Sequence, residues 1–576
     1  MEAGPTAPAT GDDDQDGGDY GPAAAAGGSD DDDQGDDEEG RFFGGGISAA
    51  EAEVLDYVDA VADAGPAAPA KIDAAWVRKT ALAFEKRISR NAQLRARHEA
   101  DPPRFMESEA DLDAEIKGLA LLAEHPECYA EFAGLGCAAS LVGLLAHDNT
   151  DIAIAAVEVV GELTEDEVGV GGGDVDDFDE EADEDEDDDD DDDRDKSRDK
   201  NGWDVLVAAM LDADLLGLLV SNLGRLDEED EADRNGVYHA LSVVENLCSR
   251  KAVAEQIAKQ TSLLVWLIQR AQKKESPVSQ NKQYAVELLA ILVQSSNKNR
   301  KKLAGMDVAD TLLQLAAVYR KRDPQDNEET EYMTNIFGSL TSIVDGPEGK
   351  AKFVEAEGVE LCLIILKEGE KLTKAAALRL LDHAVSGVSG AETCQKLVDA
   401  GGLKPLFTMF MKKQSNRVTM DTLMTIFMAL LQLLPADSPE RTRTLAKFVE
   451  KEYEKTEKLL ALRDEYARRL APVETQIARQ ARGMNDEERE MQAGGWYLAR
   501  IESGLYSLMN VDLILAWLVA EDDGARNKIT SGLAERGESL GVVRKSLQER
   551  LDNMDPKKRA KKDTRDMLST LIDFLR

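Results

Sequence analysis

Cysteine and histidine are scarce in this chain, and their arrangement excludes a disulfide-stabilised fold. The cysteines are Cys128, Cys137, Cys248, Cys362 and Cys394. An odd number at wide, irregular spacing does not fit a disulfide framework, and no pair has the spacing of zinc ligands. The five histidines are equally scattered. We therefore expect a reducing compartment, no metal and no cofactor.

Aromatic residues and long apolar runs are also scarce. Aromatics make up 5% of the chain, whereas hydrophobic residues as a whole make up 43%, mostly leucine, alanine and valine. This balance favours helix over sheet. No apolar run reaches the ~20 residues that a membrane-spanning helix needs, and the acidic N-terminus carries no apolar targeting segment. We expect a soluble intracellular protein without a membrane partner.

Positive charge is in deficit, and the excess of acid is concentrated in two stretches. The net charge is -46, to which residues 1–41 contribute -13 and residues 174–200 contribute -15. The remaining, mildly acidic body lacks the clustered basic residues with aromatics that nucleic-acid binding requires. Basic proteins are the better electrostatic partners, and we expect no direct nucleic-acid binding.

Motifs of enzyme active sites are missing as well. The sequence contains no nucleophile elbow, phosphate-binding loop, dinucleotide fingerprint or zinc-protease motif. The glycines at 169 and 171–173 are followed by acidic residues and not by the Lys-Ser/Thr pair of a phosphate-binding loop. We expect no catalytic residues and no enzymatic activity.

The stretch Leu135–Leu163 predicts the structural unit of the chain. It reads as two helices around the polar turn 147–150, whose Asn, Asp and Thr side chains can cap the second helix. Apolar residues follow the turn at i, i+3 and i+4 spacing. A related helix-end pattern recurs near residues 163, 247, 292, 343, 384 and 433. After the first interval the steps are 41 to 51 residues, close to the armadillo/HEAT period.

Several segments closely resemble the β-catenin-like protein 1 family, whose members are nuclear armadillo-type proteins associated with the spliceosome. The resemblance is carried by the sequence segments Pro103–Ile116, Leu144–Glu165, Arg225–Leu247, Leu263–Arg270, Tyr284–Gln294 and Ala377–Gly387. It implies a nuclear location and association with the Prp19/Cdc5-like complex. It also implies recognition of basic, localisation-signal-like segments of splicing factors.

We expect an all-α, right-handed superhelical solenoid of the armadillo/HEAT type. Residues 1–45 are predicted to be a disordered acidic tail, and 46–135 an N-terminal helical cap or HEAT-like repeat. Residues 136–435 are predicted to be armadillo-like repeats, with a disordered acidic insertion at 166–201. Residues 436–576 are predicted to be a C-terminal helical domain with long charged helices of the coiled-coil type. It either caps the solenoid or provides a homodimer surface.

The recurring helix ends predict a partner-binding face. Its candidate residues are Glu158, Glu162, Glu245, Asn246, Glu287, His383 and Gln432. Armadillo proteins that hold extended peptides carry an Asn here and a Trp one turn earlier. In this chain only Asn246 matches, which argues against an importin-like groove. The glutamates suit Lys/Arg-rich segments, but an ordinary solvated surface would give the same pattern.

The dense basic cluster PKKRAKK is the predicted nuclear localisation signal. It consists of Pro556, Lys557, Lys558, Arg559, Ala560, Lys561 and Lys562. A solvated basic linker is the alternative. Two functions thus remain open: a non-catalytic splicing scaffold, or a nuclear transport receptor or adhesion-type armadillo adaptor.

Overall fold

The computed structural model describes residues 72–165, 201–413, 416–554 and 562–576. The predicted acidic tail, most of the acidic insertion and most of the basic cluster lie outside these residues. The described residues are predominantly α-helical and contain no β-strand. Residues Ala70–Arg576 form one compact unit. The predicted all-α armadillo solenoid is confirmed.

Two helices precede the repeats, α1 (Ala74–Arg97) and α2 (Met106–Gly118). Each repeat then consists of two shorter helices and a longer third one. The first repeats contain α3 (Tyr129–Gly134), α4 (Cys137–Gly143) and α5 (Thr150–Thr164), then α6 (Gly202–Asp212), α7 (Leu215–Arg225) and α8 (Glu231–Leu247). The next contain α9 (Lys251–Lys259), α10 (Thr261–Gln272) and α11 (Gln280–Ser295), then α12 (Asn297–Ala304), α13 (Val308–Ala316) and α14 (Asn327–Ile343). The last contain α15 (Pro347–Glu355), α16 (Gly358–Glu368) and α17 (Lys371–Val385), then α18 (Ala391–Asp399), α19 (Leu403–Phe410) and α20 (Arg417–Leu433).

The C-terminal region begins with α21 (Pro439–Ala481), which is interrupted at Glu450–Tyr453. It continues with α22 (Asp486–Glu502), α23 (Leu505–Glu521), α24 (Asp523–Glu535), α25 (Leu540–Asp552) and α26 (Lys562–Phe574). Short 3₁₀ turns lie at Pro102–Arg104, Leu119–Glu124, Pro126–Cys128, Leu144–Ala146, Ala317–Tyr319 and Val388–Gly390. The division into domains at residues 135 and 435 stays a prediction.

Two local devices repeat along the solenoid. The turn from a repeat's first to its second helix commonly contains a left-handed residue, at Gly136, Asp214, Asp307, Glu357 and Gly401. The third helices begin with side-chain caps, as the sequence predicted for α5: the Asn149 Oδ1 accepts from the Asp151 amide at 3.0 Å. Such caps satisfy backbone N–H groups that have no partner within the helix.

The third helices form one continuous row. Each of α5, α8, α11, α14, α17 and α20 packs against the next, and α23 continues the row beyond α20. Their apolar sides contribute to a single core that extends from Val77 to Leu575. Because each repeat buries its apolar face only against its neighbours, the row is what holds the solenoid together.

Within the described residues, no single helix is long and apolar enough to cross a bilayer. The pairs Pro126–Gly134 with Cys137–Ala146 and Glu487–Glu502 with Leu505–Glu521 pass by length and composition alone.

Candidate partner-binding face

The row of third helices brings most of the predicted partner-binding residues together. Glu158 and Glu162 lie on α5, Glu245 and Asn246 on α8, and Glu287 on α11. All are at least partly exposed. The neighbouring α14 adds Glu331, which the sequence analysis missed because this residue lies near the start of its helix, far from the recurring helix-end positions. We call Glu158, Glu162, Glu245, Glu287 and Glu331 the acidic face.

Like charges dominate the electrostatics of the acidic face. Burial raises the pKa of Glu162, with Glu158 and Glu165 adding to the effect and His239 opposing it. Burial also raises the pKa of Glu287, and Glu245 and Glu331 add to it. Within the described residues, none of the five carboxylates forms an ion pair with a lysine or arginine. A cation placed here would relieve the repulsion and stabilise the ionised carboxylates that burial disfavours.

Two tyrosines lie among these carboxylates. The rings of Tyr238 on α8 and Tyr284 on α11 are tilted against each other, with centroids 5.2 Å apart. The Tyr284 hydroxyl donates to Glu245 Oε2. Burial, together with this bond, raises the pKa of Tyr284. Tyr238 is partly exposed. Aromatic faces beside carboxylates suit the guanidinium or the aliphatic stem of a basic side chain. The sequence analysis did not identify this pair, because no local pattern indicates that two residues on different helices are in contact.

Asn246 is engaged within the chain. Its Nδ2 donates to the carbonyl of Gly161 at 3.0 Å and lies 3.4 Å from Thr164 Oγ1. The side chain therefore connects α8 to the last turn of α5. An amide that donates to the preceding repeat contributes to repeat stacking, whereas the corresponding Asn of a peptide-binding ladder donates to the ligand.

His383 and Gln432 lie farther along the row and are separated from the acidic face. His383 lies near the end of α17. Its Nδ1 is 2.8 Å from Asp345 Oδ1. Gln432 is half-buried in the last turn of α20. Acidic residues in this half have partners: Asp382 accepts from Thr425, and Asp421 accepts from Tyr466. The structure thus brings five of the seven candidates together and places the other two apart.

The remaining predicted features lie elsewhere. Residues 556–561 of the basic cluster are outside the described residues, and Lys562 is the exposed first residue of α26. The described part of the chain holds no cluster of three or more His, Cys, Asp or Glu side chains that could bind a metal ion. A cavity of about 260 Å³ lies near the C-terminus, between α23 and α26, far along the row from the acidic face.

Stacked three-helix repeats with a continuous row of third helices define an armadillo protein, a class whose fold indicates a protein-binding scaffold. A family model described as "Catenin-beta-like, Arm-motif containing nuclear" matches residues 52–548. The chain belongs to this nuclear family, which confirms the family resemblance and the nuclear localisation predicted from the sequence.

Named relatives agree with this assignment. The β-catenin-like protein 1 homolog of Schizosaccharomyces pombe is 32% identical over 512 residues, covering 88% of this chain and 84% of the relative. Human β-catenin-like protein 1 is 33% identical over 500 residues, covering 84% and 82%. Among solved structures, an engineered protein matches 81% of this chain and 95% of its own length, at 14% identity and a TM-score of 0.47.

Proposed function

We propose that this protein is a non-catalytic scaffold of the pre-mRNA splicing machinery. It docks Lys/Arg-rich, localisation-signal-like segments of splicing factors in association with the Prp19/Cdc5-like complex. The observation that carries the proposal is the acidic face: five carboxylates on four consecutive third helices, none of which forms an ion pair with a lysine or arginine of the described residues. Membership of a nuclear armadillo family supports the location and the scaffold role.

Docking follows from the charges and rings of the face. A lysine or arginine of the partner forms charge-assisted hydrogen bonds with Glu162 or Glu287. Burial and, to a lesser extent, neighbouring carboxylates raise the pKa values of both residues, and a nearby cation opposes that shift. The exposed side of Tyr238 packs against the partner's basic side chain. Because the attraction is electrostatic, it also steers association.

Titration of a fluorescent Lys/Arg-rich peptide against the full chain tests the docking step. We expect affinity to fall steeply between low and physiological salt, because added ions screen exposed charges. A peptide of the same length with its basic residues replaced by glutamine serves as the control. Salt-insensitive binding, or equal binding of the two peptides, would contradict the proposal.

Affinity purification from nuclease-treated nuclear extract, read by mass spectrometry, tests the assembly. Recovery of Prp19-complex subunits with basic splicing factors supports the scaffold role. Recovery of importin-β with mixed cargo would instead support the alternative, a nuclear transport receptor or adaptor. Recovery of membrane-junction proteins would support an adhesion-type adaptor.

The cluster Pro556–Lys562 is the proposed nuclear localisation signal. Replacing Lys557 and Lys558 by alanine in a fluorescent fusion should shift the protein toward the cytoplasm, whereas replacing Lys367 and Lys371 should not. Unchanged nuclear accumulation of the first variant would favour the basic-linker alternative.

Homodimerisation through the C-terminal region also stays a proposal. Its support is the exposed apolar side of α22, where Met491 is 82% and Leu498 is 60% exposed. Sedimentation velocity of the wild type and of Leu498→Glu tests it. Dimers lost in the variant support this surface, and a monomeric wild type contradicts it.

A further inference from the structure

A compact group of cations lies on two adjacent first helices of this otherwise acidic protein. It consists of Lys259 on α9 and Lys298, Lys301 and Lys302 on α12, which we call the basic edge. The Lys302 ammonium donates to the carbonyl of Lys259 at 3.3 Å, so the two helices hold their cations side by side. Lys259, Lys298 and Lys301 are exposed.

Neutralisation of the basic edge is incomplete. Among the residues that the structure describes, one ion pair involves this group: Lys298 Nζ lies 3.5 Å from Glu255 Oε2. Four cations with one paired carboxylate form a positive patch in a chain whose net charge is -46. Such a patch attracts a polyanion, and its neighbourhood indicates which one.

The acidic insertion joins the described body beside the basic edge. The first helix after it, α6, contains Trp203 and Asp204. Arg250 immediately precedes α9 and contacts both residues. Its guanidinium lies 5.2 Å from the Trp203 ring centroid, and its Nε lies 3.8 Å from Asp204 Oδ1. At 1.5 Å per residue, α9 places Lys259 about 13 Å from this junction.

We propose that the basic edge binds the acidic run of the same chain, residues 174–193. The run contains 17 carboxylates and no basic residue. Asp193 precedes Asn201 by eight residues, and eight residues can span about 26 Å. The run is thus tethered within reach of Lys259 and α12, and tethering gives it a high effective concentration there. Its occupancy denies the basic edge to nucleic acid and other external polyanions.

Carbodiimide cross-linking of the full chain at low salt tests the contact directly, because it joins carboxylates to amines only when they touch. We expect peptides that join residues 174–193 to Lys259, Lys298 or Lys301, and their loss at high salt. Cross-links from these lysines only to residues 12–39, or no cross-links to the run, would overturn the proposal.

A matched pair of variants separates a specific contact from general attraction. In Lys298→Gln/Lys301→Gln, Lys259 remains as a reporter, and its cross-links to the run should fall by about fivefold, as expected for the loss of two exposed charge contacts. In Lys367→Gln/Lys371→Gln, which removes the same charge from α16 and α17, they should not change. An equal fall in both variants would overturn the proposal.

Single-stranded RNA provides the competing occupant. The intact chain should bind a labelled RNA weakly, and replacement of residues 174–193 by an equally long Gly-Ser segment should increase the affinity by at least tenfold. Lys298→Gln/Lys301→Gln should abolish that gain. Tight RNA binding by the intact chain, lost in the same double variant, would show that the edge is open and overturn the proposal.

Discussion

Carboxylates occupy opposite environments at the two ends of the solenoid. On the acidic face, Glu162 and Glu287 lie at the surface, and their closest charged neighbours are mostly other carboxylates. In the C-terminal region, Asp512 on α23 is fully buried, and its Oδ1 accepts from Arg463 Nε at 2.6 Å. The same chemical group therefore lies outside any ion pair with a lysine or arginine of the described residues in one region and joins helices in the other.

The buried arginines explain how the C-terminal helices are joined. Arg463 on α21 bonds to Asp512 and also reaches Glu538 at 2.6 Å. Arg441, near the start of α21, pairs with Glu521 and lies 4.5 Å from the Trp517 ring centroid. A charge buried without its partner is costly, so these pairs fix how α21 and α23 fit together. On the acidic face, Glu245 instead accepts from a neutral donor, the Tyr284 hydroxyl.

The largest effect should come from breaking the buried pair. Arg463→Met leaves Asp512 uncompensated in the core and should destabilise the protein by about 3–5 kcal/mol. Denaturant unfolding followed by circular dichroism measures the loss. Arg468→Met is the control, because Arg468 pairs with Asp464 at the surface. Equal unfolding midpoints for the two variants would contradict this, because the buried pair would then contribute no more to stability than the surface pair.

Charge reversal on the acidic face should instead weaken peptide binding and leave stability nearly unchanged. Glu287→Lys should weaken binding of a Lys/Arg-rich peptide by about tenfold, or ~1.4 kcal/mol, while stability changes by less than ~0.5 kcal/mol. Fluorescence anisotropy and unfolding midpoints report the two quantities. Glu392→Lys, at an exposed position on the first helix α18, is the matched control. Loss of stability without loss of binding would make Glu287 an architectural residue.

Local signals allowed much of the fold to be predicted. The turn at 147–150, its Asn149 cap and the apolar positions of α5 depend on neighbouring residues, so helical periodicity was sufficient. The predicted helix ends at 163, 247, 343, 384 and 433 fall within one residue of the ends of their third helices, and the one at 292 within three. Left-handed Asp214, Asp307 and Glu357 could not be predicted, because the left-handed position in each of those turns is not a glycine.

The candidate site was less predictable because its contacts join distant parts of the sequence. Tyr284 meets Glu245 across 39 residues, and Asn246 meets Gly161 across 85. No local pattern shows that an amide is already used within the chain. Periodicity identified the helices that carry the face, whereas tertiary packing determined which side chains remain without partners.

Asn246 tests the difference between a structural and a partner-binding residue, because it lies among the glutamates but makes a contact within the chain. Asn246→Ala removes the bond to the Gly161 carbonyl and should cost about 1 kcal/mol of stability. Peptide affinity should stay within twofold of the wild type. Unfolding midpoints and peptide titration are the measurements, with Asn335→Ala on α14 as the control. Lost affinity with unchanged stability would instead place Asn246 in a peptide-binding ladder.

The smallest effect should be a pH dependence that is specific to the acidic face. Glu162 and Glu287 have pKa values raised above the ordinary 4.5 in the folded protein, so between that value and their raised values the folded state binds more protons than the unfolded chain. Their contribution to stability therefore falls as pH rises through this window. Glu162→Gln/Glu287→Gln should remove that fall, making the variant slightly more stable than the wild type at pH 7 but not at pH 4. Unfolding midpoints across this range, with Glu348→Gln/Glu392→Gln as the control, measure the difference. A variant less stable than the wild type at pH 7 would mean that these carboxylates already have stabilising partners, as Asp512 does.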